Sequence, residues 1–138
     1  MSGGSGQGDV AAYVSADGPM VVSLQAGTAT GSGPDSLTGL ENIFGSVFND
    51  TITGDAGPNF IVDGNYGPSG ADTILGLDGD DIVFSGVGND AIDGGLGNDS
   101  LNGHLGDDSL DGGPGNDILD GGEGTDACTN GESDQNCE

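Results

Sequence analysis

Between Gly67 and Thr129 the chain repeats itself every nine residues, seven times in succession. In that register the blocks read GPSGADTIL, GLDGDDIVF, SGVGNDAID, GGLGNDSLN, GHLGDDSLD, GGPGNDILD and GGEGTDACT. Position 4 is always glycine: Gly70, Gly79, Gly88, Gly97, Gly106, Gly115 and Gly124. Position 6 is always aspartate: Asp72, Asp81, Asp90, Asp99, Asp108, Asp117 and Asp126. Position 8 is apolar, running Ile74, Val83, Ile92, Leu101, Leu110 and Leu119 to Cys128. A fixed short period of this kind stacks identical units, each contacting only its neighbours.

The chemistry of one block follows from its residues. Glycines among the first four positions let the backbone turn sharply through positive φ without a Cβ clash. Such a turn aims carbonyl oxygens at one point, and the position-6 Asp adds a carboxylate there. Positions 7 to 9 suit a three-residue strand, with position 8 facing inward and 7 and 9 outward. Two blocks then make one 18-residue coil. Stacked coils pair their strands in parallel and align the position-8 side chains as a thin core. Carboxylates and carbonyls of successive turns would form oxygen cages between coils, and oxygen-only ligands suit Ca²⁺ better than Zn²⁺ or copper.

The blocks resemble the RTX family, whose nonapeptide consensus is GGxGxDxUx. The resemblance implies an all-β fold, a parallel β-roll solenoid of short strands with Ca²⁺ between Gly/Asp-rich turns. It extends upstream in weaker form. GDAGPNFIV (Gly54 to Val62) fits with Asn59 at the Asp position, and GSVFNDTIT (Gly45 to Thr53) fits at Asp50 but has Phe48 in place of glycine. TGSGPDSLT (Thr30 to Thr38) fits with Asp35 and Leu37, and four residues, Asp63 to Tyr66, break the register before Gly67. Each site is expected to draw on position-6 carboxylates 18 residues apart and on glycine-turn carbonyls. The complete pairs are Asp72 with Asp90, Asp81 with Asp99, Asp90 with Asp108, Asp99 with Asp117, and Asp108 with Asp126. Asp50 with Asp72 is compromised by Phe48 and the register break, and Asn59 with Asp81 lacks one charge. The expectation is therefore at least five Ca²⁺ and up to seven, with the five complete pairs as the minimum.

Composition agrees with a metal-dependent fold. The 138 residues hold 31 glycines, 24 carboxylates, no Lys and no Arg, for a formal charge of −24. Self-repulsion and glycine entropy would leave the bare chain expanded. A merely acidic surface would scatter its carboxylates, whereas here they recur at one position of a repeat. Without basic residues the chain has no means to grip a phosphate backbone, so nucleic acid is excluded as a direct partner. The glycine-rich loops lack the P-loop lysine. Asp78-Gly79-Asp80-Asp81 lacks the glycine and glutamate positions of an EF-hand. No apolar run is long enough to cross a bilayer. The opening MSGGSGQG has neither a charged nor an apolar leader region, so the chain reads as mature, trimmed or cut from something longer.

The chain divides into residues 1–29, a lead and hairpin; 30–66, degenerate leading coils; 67–129, the regular array; and 130–138, a cap. Val10 to Val14 and Met20 to Leu24 read as two strands of a hairpin, turned at Ser15 to Pro19. Residues 18 apart share a sheet, which places Phe60, Val62, Ile82 and Phe84 together on an outward face. A solvated face should not look like that. Its cover is either the hairpin of the same chain or a partner, itself included. Cys128 and Cys137 read as a disulfide folding the tail over the end of the roll, which suits an extracellular or cell-surface setting; two free thiols are the alternative. His104 reads as an exposed turn residue, and Tyr13 and Tyr66 as packing. With one histidine no catalytic triad can be assembled.

Four functions compete. The first is an extracellular Ca²⁺-binding structural module, without catalysis of its own, that folds on the metal. The second is a calcium-dependent self-assembling filament or matrix protein. The third is the RTX portion of a larger secreted enzyme or toxin, as the resemblance allows. The fourth, an ice-binding solenoid, is weakest, because the Thr51, Thr53, Thr73 array is interrupted at Ala91 and Ser109.

Overall fold

The computed structural model describes residues 3, 8–31, 33–64 and 70–138. Most of the lead, half of the register break (Asn65 and Tyr66) and the first three residues of the array lie outside them. Fifteen strands follow one another among the described residues: β1 (Val10–Ala12), β2 (Val21–Ser23), β3 (Thr28–Thr30), β4 (Asp35–Ser36), β5 (Asn42–Phe44), β6 (Thr51–Thr53), β7 (Phe60–Val62), β8 (Thr73–Asp78), β9 (Ile82–Phe84), β10 (Ala91–Leu96), β11 (Ser100–Asn102), β12 (Ser109–Asp111), β13 (Ile118–Asp120), β14 (Ala127–Thr129) and β15 (Ser133–Gln135). From β5 onward, successive strands alternate between two sheets. One sheet runs β1-β5-β7-β9-β11-β13-β15 and the other β14-β12-β10-β8-β6-β2-β3-β4. All pairings are parallel except β2 with β3 and β3 with β4. This is the all-β parallel β-roll that the repeat predicts.

The core is two columns of single side chains. Val22, Ile52, Ile74, Ile92, Leu110 and Cys128 stack along one sheet in register. Ala11, Ile43, Ile61, Val83, Leu101 and Leu119 stack along the other. All but Cys128 are buried. The four-residue break leaves this register intact: Ile52 pairs with Ile74 and Ile61 with Val83, each across 22 residues instead of 18. Position 4 is glycine because the coils approach closely there. A Cβ at Gly88, Gly97, Gly106, Gly115 or Gly124 would strike the carbonyl oxygen of the position-4 glycine one coil earlier. Gly88, Gly97, Gly106 and Gly124 are also held at φ between 145° and 154°. Position 5 adds a side-chain ladder on the outside of the turns, in which Asn98 bonds to Asp80 Oδ1 and Asn116 to Asn98 Oδ1.

The N-terminal segment departs from the expected hairpin. β1 and β2 do not pair with each other; β1 pairs in parallel with β5, and β2 in parallel with β6. Together they form a first coil, because in that arrangement Ala11 and Val22 each extend one core column. A hairpin would have served one column only. The segment from Thr30 to Thr38 likewise forms no coil. Its Asp35–Ser36 strand returns antiparallel on β3, and Ala29, Leu37 and Leu40 are buried at the end of the core. Asp35 accepts a hydrogen bond from the Tyr13 hydroxyl at 3.3 Å instead of joining the aspartate columns.

The apolar outward face exists, and among the described residues the strand β1 extends its sheet in parallel on β5. Phe44, Phe60 and Phe84 zigzag along it, with ring centroids 6.3 and 6.0 Å apart, and His104 stacks on Phe84 at 5.7 Å. Val62 is buried on this face while Ile82 stays 41% exposed. Each ring shields its neighbours, which is why a column of aromatics needs less cover than the sequence suggests.

Candidate metal centre

The turns form two rows, one on each side of the roll. Asp81, Asp99 and Asp117 lie in one row; Asp72, Asp90, Asp108 and Asp126 lie in the other. All seven are buried. Each uses its Oδ1 to accept the main-chain N–H of the row member one coil before. Asp72, Asp81, Asp90 and Asp99 donate in this way to Asp90, Asp99, Asp108 and Asp117 at 2.8 to 2.9 Å. Asp108 donates likewise to Asp126 at 2.8 Å. The five residue pairs predicted from the sequence are thus neighbours in space, joined by an N–H···Oδ1 bond.

The second oxygen is the informative one. Oδ2 of Asp72, Asp81, Asp90, Asp99, Asp108, Asp117 and Asp126 is buried and has no hydrogen-bond partner. A buried carboxylate oxygen without a donor costs free energy unless a charge answers it. No Lys or Arg exists in the chain to do so. Those of Asp81, Asp99, Asp108 and Asp117 each border a small cradle over the glycine that heads their block. A Cβ on Gly76 would meet Asp81 Oδ2 and the Gly94 carbonyl oxygen; on Gly94, Asp99 Oδ2 and the Gly112 oxygen; on Gly103, Asp108 Oδ2 and the Gly121 oxygen. Carboxylate and carbonyl oxygens converging on one spot form a hard-cation donor set. Among the described residues no three His, Cys, Asp or Glu side chains group together, so main-chain carbonyls must supply the other oxygens.

The sequence reading placed the turn carbonyls at position 4, on Gly70, Gly79, Gly88, Gly97, Gly106, Gly115 and Gly124. In the structure the position-1 carbonyls of Gly94, Gly112 and Gly121 border the unpartnered Oδ2 of Asp81, Asp99 and Asp108. Position-4 carbonyls lie nearby, since a Cβ on Gly88 or Gly115 would meet both the position-4 carbonyl one coil earlier and the Oδ1 of its own block's aspartate. The position-4 glycines also hold the coils together: Gly79, Gly88, Gly97 and Gly106 donate their N–H to a position-3 carbonyl of the next coil at 2.7 to 3.2 Å. The consensus GG at the head of each block carried this signal, since only a missing Cβ leaves the cradle open.

The two upstream candidates are occupied by protein donors. Asp50 accepts from Met20 N at 2.8 Å, Ser46 Oγ at 2.9 Å and Ser46 N at 2.7 Å. Asn59 Oδ1 accepts from Asp55 N at 2.8 Å, and its Nδ2 donates to the Glu41 carbonyl at 3.1 Å. Both still hand their own N–H down the row, to Asp72 and Asp81 at 2.7 Å. Asp63 was not singled out by the sequence reading. It stands at position 1, where most blocks have glycine, and is buried with its Oδ2 unpartnered. Burial, then the neighbouring Asp72 and Asp50 carboxylates, push it up to about 9. Ser85 holds the same position one coil later and donates to the Gly103 carbonyl at 3.1 Å.

Burial pushes other row members up as well: Asp72 and Asp81 to about 7 and Asp108 to about 6, with Asp90 and Asp99 also raised. In the unfolded chain these carboxyls titrate near 3.8, so the metal-free fold binds more protons than the unfolded chain between about pH 4 and 7. Its stability is then fully present at the acid end and is lost as pH rises through the folded values. In chelator, far-UV circular dichroism should show more β-structure toward about pH 4.5 than at about pH 8. A metal-free fold that is stabilised by alkali would contradict these environments.

A solenoid of paired nonapeptide turns, with one buried carboxylate per turn facing a main-chain oxygen, defines a cation-binding repeat protein. The RTX calcium-binding nonapeptide repeat (4 copies) matches residues 44–65, 66–101 and 93–128. The chain belongs to that family, and it is a calcium-binding repeat module. No curated protein gives a significant match to it. Ca²⁺ bound at the cradles would supply the positive charge that the buried carboxylates lack, and the aspartate rows with the position-1 carbonyls would hold it.

Proposed function

We propose that this chain is an extracellular structural module whose folding is driven by Ca²⁺, with no catalysis of its own. The observation that carries the reading is the two rows holding seven position-6 aspartates, each with a buried, unpartnered Oδ2. The Cys128–Cys137 disulfide supports an oxidising setting, since such bonds are rare in reducing compartments. Among the described residues no helix is long and apolar enough to cross a membrane.

Five cradles are bounded by glycine at position 1 and by an aspartate at position 6: those of Asp81, Asp99, Asp108, Asp117 and Asp126. Asp90 belongs to a block headed by Ser85, and the head of the Asp72 block lies outside the described residues, with the Asp63 carboxylate beside Asp72. Equilibrium dialysis with metal analysis should therefore count at least five Ca²⁺ per chain and up to seven. Two or fewer would remove the reading.

Self-assembly is the second reading. The two sheets end on strands, β1 and β15 in one and β4 and β14 in the other. Such edges can pair with another copy. Light scattering and electron microscopy in millimolar Ca²⁺ separate the two: filaments favour assembly, and a monodisperse monomer leaves the single module. The length of the native gene product decides whether the module stands alone or serves a larger secreted enzyme or toxin.

A further inference from the structure

We propose that the disulfide-closed tail is a false coil that completes the metal sites of Asp117 and Asp126, so that the Cys128–Cys137 bond sets the occupancy of two calcium ions. The inference rests on the calcium reading above and goes beyond a cap that merely covers the end of the roll.

The tail reproduces the main-chain pattern of a coil without adding to the core. Within the array, Asp99 donates its N–H to Asp117 Oδ1 at 2.8 Å, 18 residues on. At the end of the row Asp117 donates its N–H to Glu132 Oε2 at 2.6 Å, 15 residues on. Glu132 therefore stands in for the next aspartate, its longer side chain bridging a shorter connection. Gly103 N bonds to the Asp120 carbonyl at 2.9 Å, and Gly121 N bonds to the Gln135 carbonyl at 3.0 Å in the same way. β15 continues the sheet on β13, yet it sets Asp134 opposite Leu119, where every earlier coil has an apolar residue. All three β15 residues are exposed. Hydrophobic burial is not what this strand contributes.

What it does contribute is oxygen. In the array, the cradle over Gly94 is bounded by Asp99 and the Gly112 carbonyl, and that over Gly103 by Asp108 and the Gly121 carbonyl. At the end, the cradle over Gly112 is bounded by Asp117 Oδ2 and the Asn130 carbonyl, and that over Gly121 by the Asp126 side chain and the Asn136 carbonyl. The unpartnered Oδ2 atoms of Asp117 and Asp126 are as buried as those in mid-array. Asn130 and Asn136 reach these places through left-handed backbone, at φ 56° and 51°. Asparagine tolerates that conformation better than most residues. The two sharp bends let a sequence separation of six, from Asn130 to Asn136, span what takes a separation of nine from Gly112 to Gly121. Each Asn is also pinned by its own side chain: Asn130 Nδ2 donates to Asp111 Oδ1 and Asn136 Nδ2 to Asp120 Oδ1, both at 2.7 Å.

The disulfide is what keeps these carbonyls in place. Cys128 is in register under Leu110 in one sheet, and Cys137 directly follows Asn136 beside the other, with Cα atoms 5.7 Å apart. The tail carries Glu132, Asp134 and Glu138 and meets a roll with no basic residue. Like charges would drive it off unless a bond or a cation holds it. Closing the loop confines the tail before any ion arrives, which removes part of the ordering cost from binding.

The test counts tightly bound Ca²⁺ on the oxidised full chain and on the Cys128→Ser/Cys137→Ser chain, by equilibrium dialysis with metal analysis. The variant should keep its calcium-induced β-signal and hold two fewer ions, one from each cradle over Gly112 and Gly121. Equal counts in the two chains overturn the inference. A wild-type chain that binds no Ca²⁺ overturns the calcium reading itself, which is a different result. If the serine variant does not fold, Gly112→Ala and Gly121→Ala in the disulfide-bonded chain provide the second arm. Each methyl fills one cradle and should remove one ion, and unchanged counts overturn the proposal. In a folded serine background the same alanines should remove nothing further; an additional loss there also overturns it.

Discussion

Removing calcium with a chelator is expected to convert this chain from an ordered roll to an expanded, disordered state at neutral pH. The core is two single-residue columns, too thin to offset the ordering of a chain with 31 glycines. Against it stand seven position-6 carboxylates and Asp63, all buried, each with an oxygen that no protein donor satisfies. Ligand that binds only the folded state stabilises it by mass action, by about 2.7 kcal/mol per site at ~100 times its dissociation constant. Several such sites together match the ~5–15 kcal/mol that holds a typical domain folded. Neighbouring sites share turns, so the transition should be cooperative in Ca²⁺. Far-UV circular dichroism and hydrodynamic radius should both change on adding EDTA and return with Ca²⁺. Mg²⁺ should restore them poorly, because it demands a tighter octahedron. An unchanged spectrum in EDTA at neutral pH would mean that the fold does not depend on the metal.

The second large effect is expected from Asp99→Ala, set against Asp35→Ala. Asp99 is 2% exposed, and its Oδ1 accepts the Asp81 N–H at 2.8 Å. Its Oδ2 shares a cradle with the Gly112 carbonyl. Alanine there removes a ligand and strands a buried N–H, which alone costs about 1–3 kcal/mol. Asp35 lies in the edge strand β4 and accepts one bond from the Tyr13 hydroxyl at 3.3 Å. Its loss should cost no more than about 1.5 kcal/mol, the upper end for a single net hydrogen bond. Calcium-dependent melting should therefore show a several-fold weaker response and fewer bound ions for Asp99→Ala, with the ion count of Asp35→Ala unchanged. Equal effects would show that mid-array aspartates are not special.

The array was legible because everything it needs lies within nine residues. Period, strand length, inward position 8 and the spacing of the aspartates are local properties, and stacking only repeats them. Ile74, Val83, Ile92, Leu101, Leu110 and Leu119 could be placed in the core from the pattern alone. So could the pairing of Asp81 with Asp99, because a coil of two blocks sets neighbours 18 residues apart.

What the pattern left open was settled by partners distant in sequence. A three-residue strand such as Val10–Ala12 pairs with whatever backbone lies beside it, and nothing in its composition distinguishes a hairpin from a first coil. The coil won because it extends both core columns at once. Asp63 read as part of a register break, yet pairing β7 with β9 delivers it to position 1 beside Asp72. The two oxygens of one carboxylate are equivalent in sequence. Only stacking assigns Oδ1 to the N–H of the preceding coil and leaves Oδ2 facing a position-1 carbonyl. Glu132, Asn130 and Asn136 have no place in the nine-residue pattern at all. They take up the work of a coil because the disulfide and two left-handed bends bring their oxygens to the end of the rows. The sequence by itself therefore determined the repeating unit, whose geometry is local. Tertiary structure decided how the ends are finished and which oxygens face the metal, because those depend on contacts that no single repeat contains.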